Sequence, residues 1–287
     1  MTKPLSLKDF RAIRIVLEPD DFALGPDEEV PPSDLIDKET WHNIVDLPDD
    51  VSVTTSNHRG KLLKKLNQLN IAWILSMDSA GEYGGDPISD SILDAHFEFE
   101  SAIFNALHGY YKQAISSLRN ALEIVIIGTY CHINKKLDLY AIWHSGNEPI
   151  KFGEACNGLW NASLLKPINS KLKSKLKDGI FDNKQGAYPG GWVIRLYNQL
   201  SNYSHPRPKY NNADLWESNG PIYSSQAFNL FADLYFQTLV LCYFLVKLCR
   251  PNFILPKAAL KLFSIGKEPW TNLANSVHNY LYSQNID

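Results

Sequence analysis

The pattern of apolar and polar residues changes character near residue 57. Upstream, short β-branched runs alternate with proline and acidic residues. Downstream, apolar residues recur at three- and four-residue steps, the period of a helix with one buried face. Arg11–Leu17 and Val51–Thr55 are predicted as short strands, so residues 1–56 read as a largely non-helical acidic arm carrying a small hairpin. Leu62, Leu63, Leu66, Leu69, Ile71, Ile74 and Leu75 predict a first long helix, ended near Ala80-Gly81. Asp86-Pro87 has the chemistry of a helix start, and Leu93, Phe97, Ile103, Phe104 and Leu107 supply the apolar stripe of the helix that follows.

Gly109 predicts a break, and a third helix runs from Tyr110 to Ile133. Its Ile124-Val125-Ile126-Ile127 run is apolar on every side, which predicts a central place in a bundle. Residues 134–191 read as an irregular insertion. A helix from Trp192 to Ser204 is then stopped by His205-Pro206-Arg207-Pro208, because proline disfavours helix at the residue before it. Residues 211–224 read as a loop. An apolar helix over 225–250 and one or two amphipathic helices reaching Tyr282 complete the chain. The predicted fold class is all-α: a helical bundle over residues 57–287, preceded by the acidic arm.

Composition narrows the class further. With 45% hydrophobic residues and a net charge of −3 the chain is not disordered, and four cysteines among 287 residues exclude a disulfide scaffold. No apolar segment of signal-peptide length opens the sequence. The run from Phe228 to Leu248 is interrupted by Asp233, Gln237 and Lys247, so it reads as a core helix rather than a membrane span. A cytoplasmic protein with no membrane partner is the resulting expectation.

The net charge conceals an uneven distribution. Residues 1–56 hold 13 acidic and 5 basic side chains, a net of −8; residues 166–209 hold 9 basic and 2 acidic, a net of +7. Lys171, Lys173, Lys175 and Lys177 alternate with Leu172, Ser174 and Leu176, and Arg195, Arg207 and Lys209 follow, interleaved with Trp192, Tyr203 and Tyr210. Lysines attract phosphate irrespective of sequence, and aromatic rings stack on unpaired bases. The nucleic-acid-binding candidates are therefore Lys171, Lys173, Lys175, Lys177, Arg195 and Lys209, set against a solvated helix face. The acidity of the arm serves solubility or covers a basic surface.

Nucleotide, zinc-protease and serine-hydrolase signatures are absent: there is no GxxxxGK[ST], GxGxxG after a strand, HExxH or GxSxG. No cofactor and no metal are expected, since Cys131-His132, His144 and Cys156 match no zinc spacing and Asp94, Glu98 and Glu100 lack an ExxH partner. Those carboxylates read as a solvated acidic face. Gly190-Gly191 reads as a turn before a helix, with anion binding at that helix start as the alternative. On the helix itself Asn198, Asn202 and His205 share one polar line. A helix-terminal histidine beside an arginine suits acid–base work at a phosphate.

The segment Gly109-Tyr110-Tyr111-Lys112-Gln113-Ala114-Ile115-Ser116-Ser117-Leu118-Arg119-Asn120-Ala121-Leu122-Glu123, with the later Leu200-Ser201-Asn202-Tyr203-Ser204-His205, resembles the HEPN superfamily of helical bundles over about residues 90–250. Members of that superfamily are often dimeric, metal-independent ribonucleases of toxin and antiviral systems, with four to six residues between an arginine and the histidine that follows it. Arg195 and His205 are ten steps apart here, a rise of ~15 Å on a continuous helix, so the two would not share one phosphate. The resemblance thus implies a non-catalytic HEPN-like module of a bacterial defence assembly that binds nucleic acid or a partner protein. The alternative it implies is a ribonuclease using His205 and Asn202, with Arg119 or Arg207 stabilising the phosphate. RNA or another polyanion, a partner protein and a second copy of the chain are the candidate partners.

Overall fold

The computed structural model describes residues 37–77, 85–173, 179–183, 189–204 and 221–250, with Phe253, Leu255, Pro256, Ala258, Ala259 and Leu262. The chain divides into a unit ending at Asp46 and one beginning at Leu47. In the first, Asp37 caps a one-turn helix, α1 (Lys38–Trp41), by accepting from Thr40 N at 2.8 Å. A π-helical turn follows at His42–Asp46. The predicted strand at Arg11–Leu17 lies outside the described residues.

The second unit is an all-α bundle of α2 (Leu47–Leu75), α3 (Pro87–Leu107), α4 (Tyr111–Ile133), α5 (Leu137–His144), α6 (Phe152–Asn161), α7 (Leu165–Lys173), α8 (Trp192–Ser204) and α9 (Ser225–Cys249). Helix α2 starts well before the expected first helix and absorbs Val51–Thr55, which is helical and not a strand. Pro48 sets φ in the first turn, and Asp49 and Asp50 sit at the positive end of the helix. Val51 and Thr55, four residues apart, are buried while Val53 between them is exposed, a pattern that a helix satisfies and strand alternation, which would put all three on one face, does not.

Asp86 caps α3 as expected, accepting from Ser89 N at 3.0 Å, with Pro87 in the first turn. The buried row, however, is Ile88, Ile92, Ala95, Phe99, Ala102 and Ala106. Leu93, Phe97 and Phe104 are exposed. Alanines line this row because α3 and α4 approach closely: a Cβ at Gly128 would meet the side chain of Ser91 and stand 2.7 Å from the Pro87 carbonyl.

Helix α4 is the axis of the bundle, packed on α3, α5, α6, α8 and α9, and every residue from Val125 to Cys131 is buried. Helix α9 starts at the Ser224 cap and is buried from Thr238 to Lys247. By length and composition α9 would cross a membrane, yet 78% of its most apolar window is enclosed by the bundle. The two helices run in the same sense. At one end Ser224 N donates to the Tyr111 hydroxyl at 3.1 Å; at the other, His132 and Arg250 converge on Asp86.

The stretch 134–191 is more regular than its sequence implies, since it holds α5, α6 and α7. Beyond α7, Asn169 is buried and clamps the returning chain. Its Oδ1 accepts from Ile180 N at 2.7 Å and Phe181 N at 3.1 Å, and its Nδ2 donates to Phe181 O at 2.6 Å. A two-residue antiparallel pairing, β1 (Asp182–Asn183) with β2 (Pro189–Gly190), delivers the chain to α8. Gly191 makes the turn at φ +95°, beside the Ile180 backbone, where a side chain has no room.

Candidate functional site

Of the proposed catalytic residues, Arg119 is fully within the described structure. It projects from α4 toward α8 and sits in a half-buried network. Its Nη2 donates to the Tyr197 hydroxyl at 2.6 Å and lies 3.4 Å from Glu123 Oε2, one turn on. Tyr197 in turn donates to Glu123 at 3.5 Å, the guanidinium lies 5.0 Å from the Tyr197 ring centroid, and Phe152 of α6 stacks on that ring at 3.8 Å. The Arg119 Nε is buried without a hydrogen-bond partner among the described residues. The Arg119–Glu123 pair follows from their four-residue spacing. Tyr197 does not, because the sequence shows it only as one member of an apolar stripe with Val193 and Leu200.

Arg195 and Asn202 are exposed on α8. Lys171 and Lys173 belong to α7, though their side chains are outside the described set. His205, Arg207, Lys175, Lys177 and Lys209 lie outside the described residues. The anion reading of Gly190-Gly191 does not hold. Trp192 N donates to Gly179 O at 3.0 Å and Val193 N to Ile180 O at 3.1 Å, so the first amides of α8 already have partners.

The carboxylates of α3 also differ from the expected solvated face. Asp86, Asp90, Asp94 and Glu98 recur every four residues along one line that turns toward α4 and α5. Asp94 meets His144 Nε2 at 3.0 Å, and Glu98 accepts from Asn120 at 3.4 Å; Glu100 alone of the three named carboxylates is fully exposed. Burial pushes the Glu98 carboxyl above its ordinary range despite hydrogen bonds from Asn120 and Ser117. Burial also raises Asp90, where the charge of His144 opposes the shift. At Asp86 the balance reverses. Burial favours the neutral acid, but hydrogen bonds from His132, Arg250 and Ser89 outweigh it and hold the carboxyl well below the usual range.

Among the described residues no group of three or more His, Cys, Asp or Glu side chains is placed to hold a metal. Cys131, Cys156 and Cys242 are buried thiols, and burial raises Cys131 to about 11, which removes it as a thiolate nucleophile at neutral pH. The described geometry therefore offers a closed arginine network on α4 and α8, and polar lines on α3, but no assembled catalytic group. No family model, curated protein or solved structure matches this chain.

Proposed function

We propose that the chain is a non-catalytic, HEPN-like helical module that binds nucleic acid or a partner protein. The engagement of Arg119 carries this reading. A phosphate-stabilising arginine has to direct its donors at the substrate, whereas Arg119 directs its Nη2 at Tyr197 and Glu123 within its own bundle. Phosphate chemistry at that residue would require breaking a half-buried ion pair. The excess of basic residues between 166 and 209 supplies attraction for a polyanion without any chemistry.

The test incubates the full chain with labelled single-stranded RNA in EDTA. Retention of intact RNA, weakened when Lys171, Lys173, Lys175 and Lys177 become Glu, is the expected outcome. Retention unchanged in that variant removes the 166–209 stretch from the interface. Cleavage that disappears in His205→Ala would replace the proposal with a metal-independent ribonuclease using His205 with Arg119 or Arg207.

A further inference from the structure

The bundle is electrically polarised along its length. Helix α3 carries Asp86 at its cap and Asp90, Asp94, Glu98 and Glu100 in its first two thirds, and no acid after Glu100. Its far end meets the starts of α4 and α9 and the side of α2 around Arg59. The chain segments that build this end, 51–66, 101–122 and 221–232, contain no Asp or Glu. They do contain Arg59, Lys61, Lys64, Lys65, Lys112 and Arg119, the last paired with Glu123, with His58 and His108. The nearest acids on the same helices are Asp50, about 16 Å along α2 from Lys61; Glu100, about 6 Å before Phe104 along α3; Glu123, about 16 Å along α4 from Lys112; and Asp233, about 12 Å along α9 from Ser225.

Several details make this end more than a surplus of lysine. His58, Lys61 and Lys65 recur at three- and four-residue steps and so form one row on α2, about 10 Å long. No salt bridge among the described residues engages Lys61, Lys64 or Lys65. The His58 ring stacks on Tyr223 at 5.3 Å with the planes 25° apart, and His58 is exposed. Arg59 is fixed by its hydrogen bond to the Ser225 hydroxyl, and its charge and Tyr223 both bear on the Tyr111 phenol. An open groove of about 560 Å³ runs along this stretch, lined by Ser56 to Leu62.

We propose that this end of the bundle is a binding site for single-stranded nucleic acid, with Lys61 and Lys65 on the phosphates and the His58–Tyr223 pair as a stacking platform for a base. A row of cations beside exposed rings is the combination that holds unpaired strands without reading their sequence. The site rests on the nucleic-acid form of the function proposed above, but it is a different surface from residues 166–209.

Fluorescence anisotropy of a labelled 20-nucleotide oligo-U with the full-length chain tests it, comparing wild type, Lys61→Glu/Lys65→Glu, Tyr223→Ala and the fourfold 171–177 reversal. Circular dichroism confirms that each variant is folded. Charge reversal on α2 is expected to weaken binding at least tenfold and to flatten the dependence of log K on log salt by about 1 to 2 units. Tyr223→Ala is expected to weaken binding about tenfold while leaving that slope unchanged. If the α2 reversal stays within twofold of wild type while the 171–177 reversal abolishes binding, this site is overturned and the proposed function stands. A wild-type chain that binds no oligonucleotide overturns both the site and the nucleic-acid form of the proposed function. A chain that ignores RNA but binds phosphatidylserine vesicles through Lys61 and Lys65 overturns the site in favour of a membrane surface.

Discussion

Asp86 caps α3 through Ser89, meets His132 Nδ1 at 3.3 Å and receives Arg250 at 2.5 Å, so one carboxylate ties the start of one helix to the ends of two others. Its positive partners stand where α4 and α9 present their negative ends, and the carboxylate stands at the positive end of α3. Replacing it by Ala is expected to cost about 2 kcal/mol, from a lost cap and an unpaired, partly buried arginine; urea denaturation measures it. Because the native carboxyl lies well below the ordinary carboxylate range, its contribution is complete above that range and is lost as pH falls through it toward the native pKa. Asp86→Asn should therefore flatten the acid limb of a stability–pH curve. Glu98 has the opposite sign: burial raises its pKa, so the charged form weakens the fold near neutrality, and Glu98→Gln should not lower Tm. At this scale the sequence was partly legible. Asp86-Pro87 announces a cap and Arg119–Glu123 an ion pair, but Arg250 at Asp86 and Tyr197 at Arg119 depend on how distant helices cross, which local spacing does not encode.

Helix α3 shows that a period is easier to read than a phase. Two rows run along it at helical spacing: one of Ile88, Ile92, Ala95, Phe99, Ala102 and Ala106, the other of Leu93, Phe97 and Phe104. Size favours the second row, yet the first is buried, because small side chains let α4 approach to the contact at Gly128. Phe99→Ala should accordingly cost about 3–5 kcal/mol, whereas Phe97→Ser should change stability by less than about 0.5 kcal/mol; thermal or urea unfolding of the pair separates them. At the α3–α4 crossing, Gly128→Ala drives a methyl into Ser91 and should destabilise by about 1–3 kcal/mol. Ser91→Gly in the same chain should recover part of that loss, and a double-mutant cycle measures the coupling. Helices α5, α6 and α7 were hidden for a related reason. Each is short, and tertiary anchors such as Tyr140, Cys156 and Asn169 hold them where periodicity is weak.

For the molecule as a whole, the all-α class and the central place of α4 were legible because continuous apolar runs of helical length leave few alternatives. The polarity of the bundle was not. Counted together, residues 57–165 sum to −2, since the acids of α3 cancel the lysines of α2 in sequence, while in the fold the acids stop at Glu100, about the level at which Lys65 begins the basic row. Two further helices reinforce the difference, because α4 and α9 both begin at the end where the described residues beyond Glu100 carry no acid. Association with a short RNA strand should on that account be faster at low ionic strength, and stopped-flow mixing at two salt concentrations would measure the change.

The position of α9 also fixes an order of assembly on the ribosome. This helix supplies much of the core, including Phe228, Phe231, Tyr235, Leu239 and Phe244, yet it is translated after roughly three quarters of the chain. Until it emerges, α4 has no cover on one side, and Asp86 waits for Arg250. The nascent bundle must therefore linger with an open apolar slot, the period in which chaperones act and in which a premature stop before Ser225 would be most damaging.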